Sequence, residues 1–152
     1  PDNVARISGF MFEMEQAGVD VSSMWIAESN FAPDGGWTSA KELVDSNYEF
    51  SAVFCANDEM AVGAVSYFQH VGINVPKDVS VIGYDDTETA AYSAPRLSTV
   101  HIAWREMTTN GLSYLLNRCY DMQLPVEREY AVGMTWRSSL EKWSKGGKKS
   151  SK

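Results

Sequence analysis

The sequence predicts an α/β fold built on a parallel sheet, and three observations lead there. Strand-like and helix-like segments alternate strictly from Phe50 to Asp86; the two strand segments, "FSAVFCAN" and "VSVIGYDD", are apolar on both faces; and the stretch between them carries helical apolar spacing. A strand buried on both faces needs helices above and below it, and a parallel neighbour reached by a helical crossover supplies them. At 152 residues the chain can bury one core, so a single globular unit is expected.

Each element follows from local pattern. Between Asn3 and Gly18, Val4, Ile7, Met11 and Met14 recur on one helical face, with "PDN" before and Ala-Gly after, which predicts a capped amphipathic helix. "MWIAES" reads as a short strand over 24–28, "FAPDGG" as a loop, and Trp37 to Asn47 as a second helix burying Ala40, Leu43 and Val44. Strand 51–56 follows. Asp58 is the expected N-cap of the next helix, whose buried face is Ala61, Ala64, Val65 and Phe68 and whose C-cap is Gly72.

"INVPKD" returns the chain to strand 79–84, and "TETAAYSAPRL" is a long connection. "STVHI" is a brief strand leading into a helix from Trp104 that buries Trp104, Met107, Leu112, Leu115, Leu116 and Cys119 before Pro125 stops it. "VEREYAVGMTWRSSL" closes the pattern as an extended strand with Tyr130, Val132, Met134 and Trp136 on one face. No internal repeat of solenoid spacing is present.

Charge narrows the partners. All 20 acidic residues lie at or before Glu141 whereas five of the 13 basic ones follow it, leaving residues 1–141 at a net −12. A body so acidic repels a phosphate backbone, so this part of the chain is not expected to touch nucleic acid. The tail 141–152, "EKWSKGGKKSSK", is Gly, Ser and Lys with one Trp and is expected to be a disordered basic end. Cys55 and Cys119 sit in apolar periodic segments without metal or redox spacing and read as reduced, buried packing residues of an intracellular protein. No apolar run spans a bilayer, no signal peptide opens the chain, and no membrane contact or cofactor is expected.

Ligands of open parallel sheets gather at the carboxyl ends of strands. Both polar clusters lie at such ends: strand 51–56 terminates in Asn57-Asp58 and strand 79–84 in Asp85-Asp86, so the two junctions should share one rim. Three chemistries compete for the paired aspartates. General acid–base catalysis is disfavoured because consecutive extended residues point to opposite faces and cannot flank one substrate bond. A turn cap beside a solvated carboxylate is the plain structural alternative. The third is a polyol site, in which a carboxylate accepts from adjacent hydroxyls and an amide both donates and accepts. Asp85 and Asn57 fit it, with Arg6 as fixed donor and Trp37 or Trp104 as an aromatic face. His70 and His101 are isolated and read as structural or surface residues.

The stretches "ARISGF", "VFCANDEMAVGAVSYFQHVGINVPKDVSVIGYDDTETAAYSAPRLSTVHIAWREM" and "GMTWRSSL" resemble the lactose/galactose repressor family, and within it the galactose repressors most. The combination of Asn-Asp-x-Met-Ala, Gly-Tyr-Asp-Asp and Pro-Arg-Leu carries the likeness across about residues 3–140. It implies a periplasmic-binding-protein-like (type I) sugar-binding fold, here mainly the C-terminal subdomain and incomplete. Residues 1–140 would form that part, with about 101–122 crossing to the other subdomain. A central strand would lie between strands 24–28 and 52–56, leaving interior edges without it.

By the same resemblance the ligand residues are Arg6, Trp37, Asn57, Asp85 and Trp104, with Asp86 as an orienting or turn residue. Ile102 departs from a polar residue found in some relatives. The implied function is a cytoplasmic, sugar-responsive repressor whose inducer is D-galactose, a homodimer through about 58–70 and 87–96, with operator DNA held only by a domain outside this chain. The rival is a periplasmic sugar-binding transport receptor of the same fold; an upstream helix-turn-helix or an upstream signal peptide would decide between them. A carbohydrate enzyme lacks a second acid facing Asp85.

Overall fold

The computed structural model describes residues 2–142, so most of the expected basic tail lies outside the described residues. The element order is α1 (Asp2–Gln16), α2 (Pro33–Asp45), β1 (Ala52–Phe54), α3 (Asp58–His70), β2 (Ser80–Asp85), α4 (Glu88–Tyr92), β3 (Ser98–His101), α5 (Trp104–Tyr120) and β4 (Gly133–Thr135). The strands form one sheet in the order β1-β2-β3-β4, with β1, β2 and β3 parallel and β4 antiparallel at the edge.

The core lies between α3 and the sheet. Ala61, Ala64, Val65 and Phe68 of α3 are buried as the spacing predicts, packed with Cys55, Val79, Val81, Ala90 and Leu97. Helix α2 adds Ala40 and Leu43 to the buried set, and Val44 only partly. Its approach to α3 is close enough that two positions tolerate only hydrogen: a Cβ on Gly36 would stand 2.0 Å from the Met60 carbonyl oxygen, and one on Gly63 would stand 1.9 Å from that of Pro33. Alanine exceeds glycine in helix propensity by about 1 kcal/mol, but here the backbone contact outweighs it. Gly63→Ala is therefore expected to lower stability by roughly 1–3 kcal/mol, the cost of overpacking, measured as a shift of the urea midpoint.

Polar groups close the sheet at the ends of its strands. Ser139 is fully buried; its hydroxyl accepts from Ser98 N–H at 2.8 Å and donates to the Val81 carbonyl at 2.6 Å. Its own carbonyl accepts from Val81 N–H at 2.9 Å. One serine thus ties the final segment to β2 and β3 and satisfies the Ser98 N–H and both backbone groups of Val81.

Several expectations are corrected. Helix α2 begins at Pro33, not Trp37, because proline suits the first helical turn, so Pro33-Asp34-Gly35-Gly36 is helix and not loop. The α3 N-cap is Asn57, whose side chain accepts from Met60 N–H, and Asp58 is the first helical residue. The 87–97 connection contains α4, capped by Thr87. Residues 24–28 form no strand: β1 pairs only with β2, and residues 24–27 and β1 line a cavity of about 630 Å³. The closing strand contracts to 133–135 and leaves Val132 and Trp136 exposed.

Helix α5 differs most from expectation: none of its residues is buried, and Trp104, Leu112, Leu115 and Tyr120 stand in solvent. Cys119, expected in a core, is exposed with them. The apolar spacing is real, but no element of the described chain covers that face. Cys55, by contrast, is enclosed, and burial, helped by the nearby Asp58 charge, pushes its thiol up to about 12, so it stays neutral and inert at physiological pH.

Candidate functional site

The carboxyl ends of β1 and β2 meet as the sequence predicts, and α1 lies across them. Arg6 projects from α1 so that its guanidinium stands 4.1 Å over the Tyr84 ring and donates to the Ala56 carbonyl. A cation stacked on an aromatic face and anchored to backbone is held in one orientation. Its charge also acts on Asp85. Arg6, Phe31 and Ala56 line one end of the cavity between α1 and β1.

Asp85 ends β2 in a left-handed backbone conformation, φ +114°, and Asp86 follows at φ +57°. Non-glycine residues in this region carry strain that clusters at functional sites. The two are therefore not the alternating extended pair assumed from the sequence, yet their carboxylates still diverge. Asp85 Oδ1 is buried without a hydrogen-bond partner. Desolvation raises the Asp85 pKa, with the Arg6 charge opposing it and Asp58 adding to it. A desolvated oxygen left without a donor is ready to accept one from a ligand.

Asp86 is fully engaged. Its Oδ2 accepts from His101 Nδ1 at 2.8 Å and from the Thr135 hydroxyl at 2.9 Å, while Arg137 donates to Oδ1 at 2.5 Å. Desolvation alone would raise its pKa, but the bonds from Arg137, His101 and Thr135 together outweigh it and hold the carboxyl below its ordinary value. Two adjacent aspartates thus have opposite shifts: one is spent on binding β3 and β4 to the end of β2, the other is unspent. His101, read from sequence as isolated, belongs to this cluster.

Asn57 is buried at the same rim, with both polar atoms in use: Oδ1 caps α3 and Nδ2 donates to the Phe31 carbonyl at 2.8 Å. It is a brace for the 30–32 turn whose Oδ1 keeps one further lone pair. Trp104 opens α5, three residues beyond His101, the register partner of Asp85, and its ring is half exposed.

The structure does not bring Trp37 to the cluster. Its ring packs edge-on against Tyr67 at 5.2 Å and against His70 at 5.4 Å, on the seam between α2 and the last turns of α3. That end of α3 is remote from its N-terminus at the rim, at about 1.5 Å of rise per residue. The aromatic that does stand at the rim is Phe31, exposed, at φ +61°, its carbonyl held by Asn57. The signal for it in the sequence was a large apolar ring at the head of a polar turn, the same signal that was credited to Trp37.

The periplasmic binding protein-like domain family matches residues 1–140 of this chain. The chain belongs to that family. This domain is 39% identical over 118 residues to the HTH-type transcriptional repressor PurR of Vibrio vulnificus, a match covering 78% of this chain and 35% of that protein. A transcriptional regulator of the LacI family from Burkholderia phymatum superposes with a TM-score of 0.89 at 44% identity, over 91% of this chain and 50% of the other. A LacI-family regulator from Enterococcus faecium solved with bound ribose gives a TM-score of 0.81 at 30% identity, over 92% and 52%. The domain spans about a third of that curated relative's length (35%). Its relatives are transcriptional regulators of the LacI family with a periplasmic-binding-like fold, and among the described residues no helix is long and apolar enough to cross a membrane.

Proposed function

We propose that this chain is the effector-binding part of a cytoplasmic, sugar-responsive repressor, and that its site is the rim formed by Arg6, Asn57, Asp85 and Trp104 with Phe31 beside them. The observation that carries it is the buried, unpartnered Oδ1 of Asp85 beside an arginine held in one orientation. A carboxylate that accepts from vicinal hydroxyls, a fixed guanidinium and exposed aromatic rings suit the two faces of a pyranose. The relative solved with bound ribose, and another solved as a cellobiose complex, support a sugar over other effectors. D-Galactose is the proposed inducer, on the resemblance of the motifs. The regulators among the relatives favour this reading over a transport receptor.

In this reading the sugar acts by preferring one arrangement of the two subdomains, and the weakening of operator binding is limited by that difference in affinity. Operator contact belongs to a domain outside this chain. Dimerisation is assigned to 58–70 and 87–96, where Tyr92 is 86% exposed and is the largest apolar projection of α4. Calorimetric titration of the intact protein with D-galactose, D-glucose and D-ribose tests the reading. Saturable binding of at least one, strongest for galactose, is expected; no heat from any of the three, in a protein shown to be folded, would set the sugar reading aside.

A further inference from the structure

Asp58 is fully buried, and no cation pairs with it among the described residues. Its carboxylate instead collects neutral donors. Oδ2 accepts from Thr87 N–H at 2.7 Å and from the Thr87 hydroxyl at 3.1 Å, and Oδ1 accepts from the Thr99 hydroxyl at 2.5 Å. Thr99 Oγ1 in turn accepts from Asp86 N–H at 3.3 Å. The carboxylate therefore grips the chain directly at residue 87 and, through one hydroxyl, at residue 86. Those residues immediately follow Asp85, so the left-handed conformations at 85 and 86 fall at the end of β2 and at the first of these anchors.

Space is cleared for this arrangement. A Cβ on Gly83 would stand 2.2 Å from Asp58 Oδ1 and 2.8 Å from Leu97 Cδ2, so only glycine lets β2 pass this close to the carboxylate. As the first residue of α3, Asp58 also stands at the N-terminus of that helix, whose dipole favours negative charge. A buried acid is costly unless such donors compensate it, so an uncharged residue of similar size would be the simpler solution for packing alone.

We propose that Asp58 is a positioning residue for the effector site, holding the 85–87 turn in its left-handed form so that the Asp85 carboxylate stays at the rim beside Arg6. The inference rests on the functional reading above but is tested without a sugar. The charged groups facing Asp85 are Arg6 from α1 and Asp58 from α3; the neighbouring Asp86 is occupied by His101 of β3 and by Arg137, which follows β4. Removing the Asp58 charge takes away one of the two influences that raise the Asp85 pKa.

The experiment is a carboxyl ¹³C NMR titration of the intact protein and of Asp58→Asn, with Asp121, at the end of α5, as a remote reference. Asparagine keeps the shape and can accept from Thr87 N–H while donating to Thr99. The expected result is a lower titration midpoint for Asp85 in the variant, with Asp121 unmoved. An Asp85 midpoint identical to wild type, with only a lower melting temperature, would reduce Asp58 to a structural staple and overturn the proposal. Should Asp58→Asn not fold, Thr99→Val decides: it keeps the charge but cuts the link to Asp86 N–H, and the Asp85 resonance is expected to move. An unmoved resonance there overturns the proposal equally.

Discussion

Asp85→Ala in the intact protein is expected to weaken effector binding by about a hundredfold or more, because a charge-assisted acceptor of two hydroxyls contributes roughly 3 kcal/mol. The fold should not suffer. Asp85 Oδ1 is desolvated and has no hydrogen-bond partner, so removing the carboxylate relieves a cost and breaks no ion pair. Unchanged or raised thermal stability together with lost binding is the signature of a side chain kept for its ligand. Comparable losses of binding and of stability would instead mark Asp85 as a structural turn residue.

The pH dependence follows from the sign of the shift. Burial raises the Asp85 pKa, so as pH falls this carboxylate protonates before an ordinary one and loses an acceptor position. Effector affinity is expected to decline on acidification through that raised pKa, and calorimetry across the acid range reads it. For stability the sign reverses. A carboxyl whose folded pKa is raised favours the native state at low pH and loses that contribution as pH rises through the raised value. Asp86, whose pKa is depressed, contributes above its ordinary pKa and fades only as pH drops through the depressed one. The rim thus loses ligand affinity on acidification before the clamp of β3 and β4 is released.

Phe68→Ala is expected to produce the largest loss of stability, about 3–5 kcal/mol, because the ring is fully enclosed between α3 and the sheet and stacks obliquely on Phe50 at 5.8 Å. Against a total of roughly 5–15 kcal/mol for a folded domain, that is enough to unfold a large fraction of the molecules. Val4→Ala on α1 is the matched control, since Val4 is 68% exposed and its truncation should stay within about 0.5 kcal/mol. Urea denaturation of the two variants measures the difference; a Phe68→Ala midpoint close to that of Val4→Ala would contradict the placement of the core.

The alternation of strand and helix from 51 to 86 was legible because burial on both faces leaves near-continuous apolar runs, and β1, α3 and β2 stand where those runs predict. Helix α1 was legible as an amphipathic helix, and α5 as a helix but not in its burial. Periodicity reports which face is apolar, and only tertiary partners decide whether it is covered, so Leu112 and Leu115 are exposed despite correct spacing. Segment 24–28 failed as a strand for a related reason: a strand exists only with a ladder partner, which local pattern does not supply.

Among the candidate residues, Asp85 was legible as a strand-end carboxylate, and Arg6 as the fixed donor that a polyol site would place beside it. Trp37 was not, because its proximity to a glycine pair suggested a loop, whereas Pro33 starts a helix and turns the ring toward Tyr67 and His70. Phe31 escaped notice since its place at the rim depends on a positive φ and a hydrogen bond from Asn57, neither written in its own residue type. Asp58 was read as the cap of α3, a place that Asn57 takes, and its actual partners Thr87 and Thr99 lie 29 and 41 residues away.

The most direct test of the account is a crystal structure of the intact protein with D-galactose. Vicinal hydroxyls of the sugar are expected within about 2.6–3.2 Å of the Asp85 carboxylate, with Arg6 donating to the ring or a hydroxyl and Phe31 or Trp104 against its C–H face. A sugar bound elsewhere, with Asp85 Oδ1 still unpartnered, would contradict it.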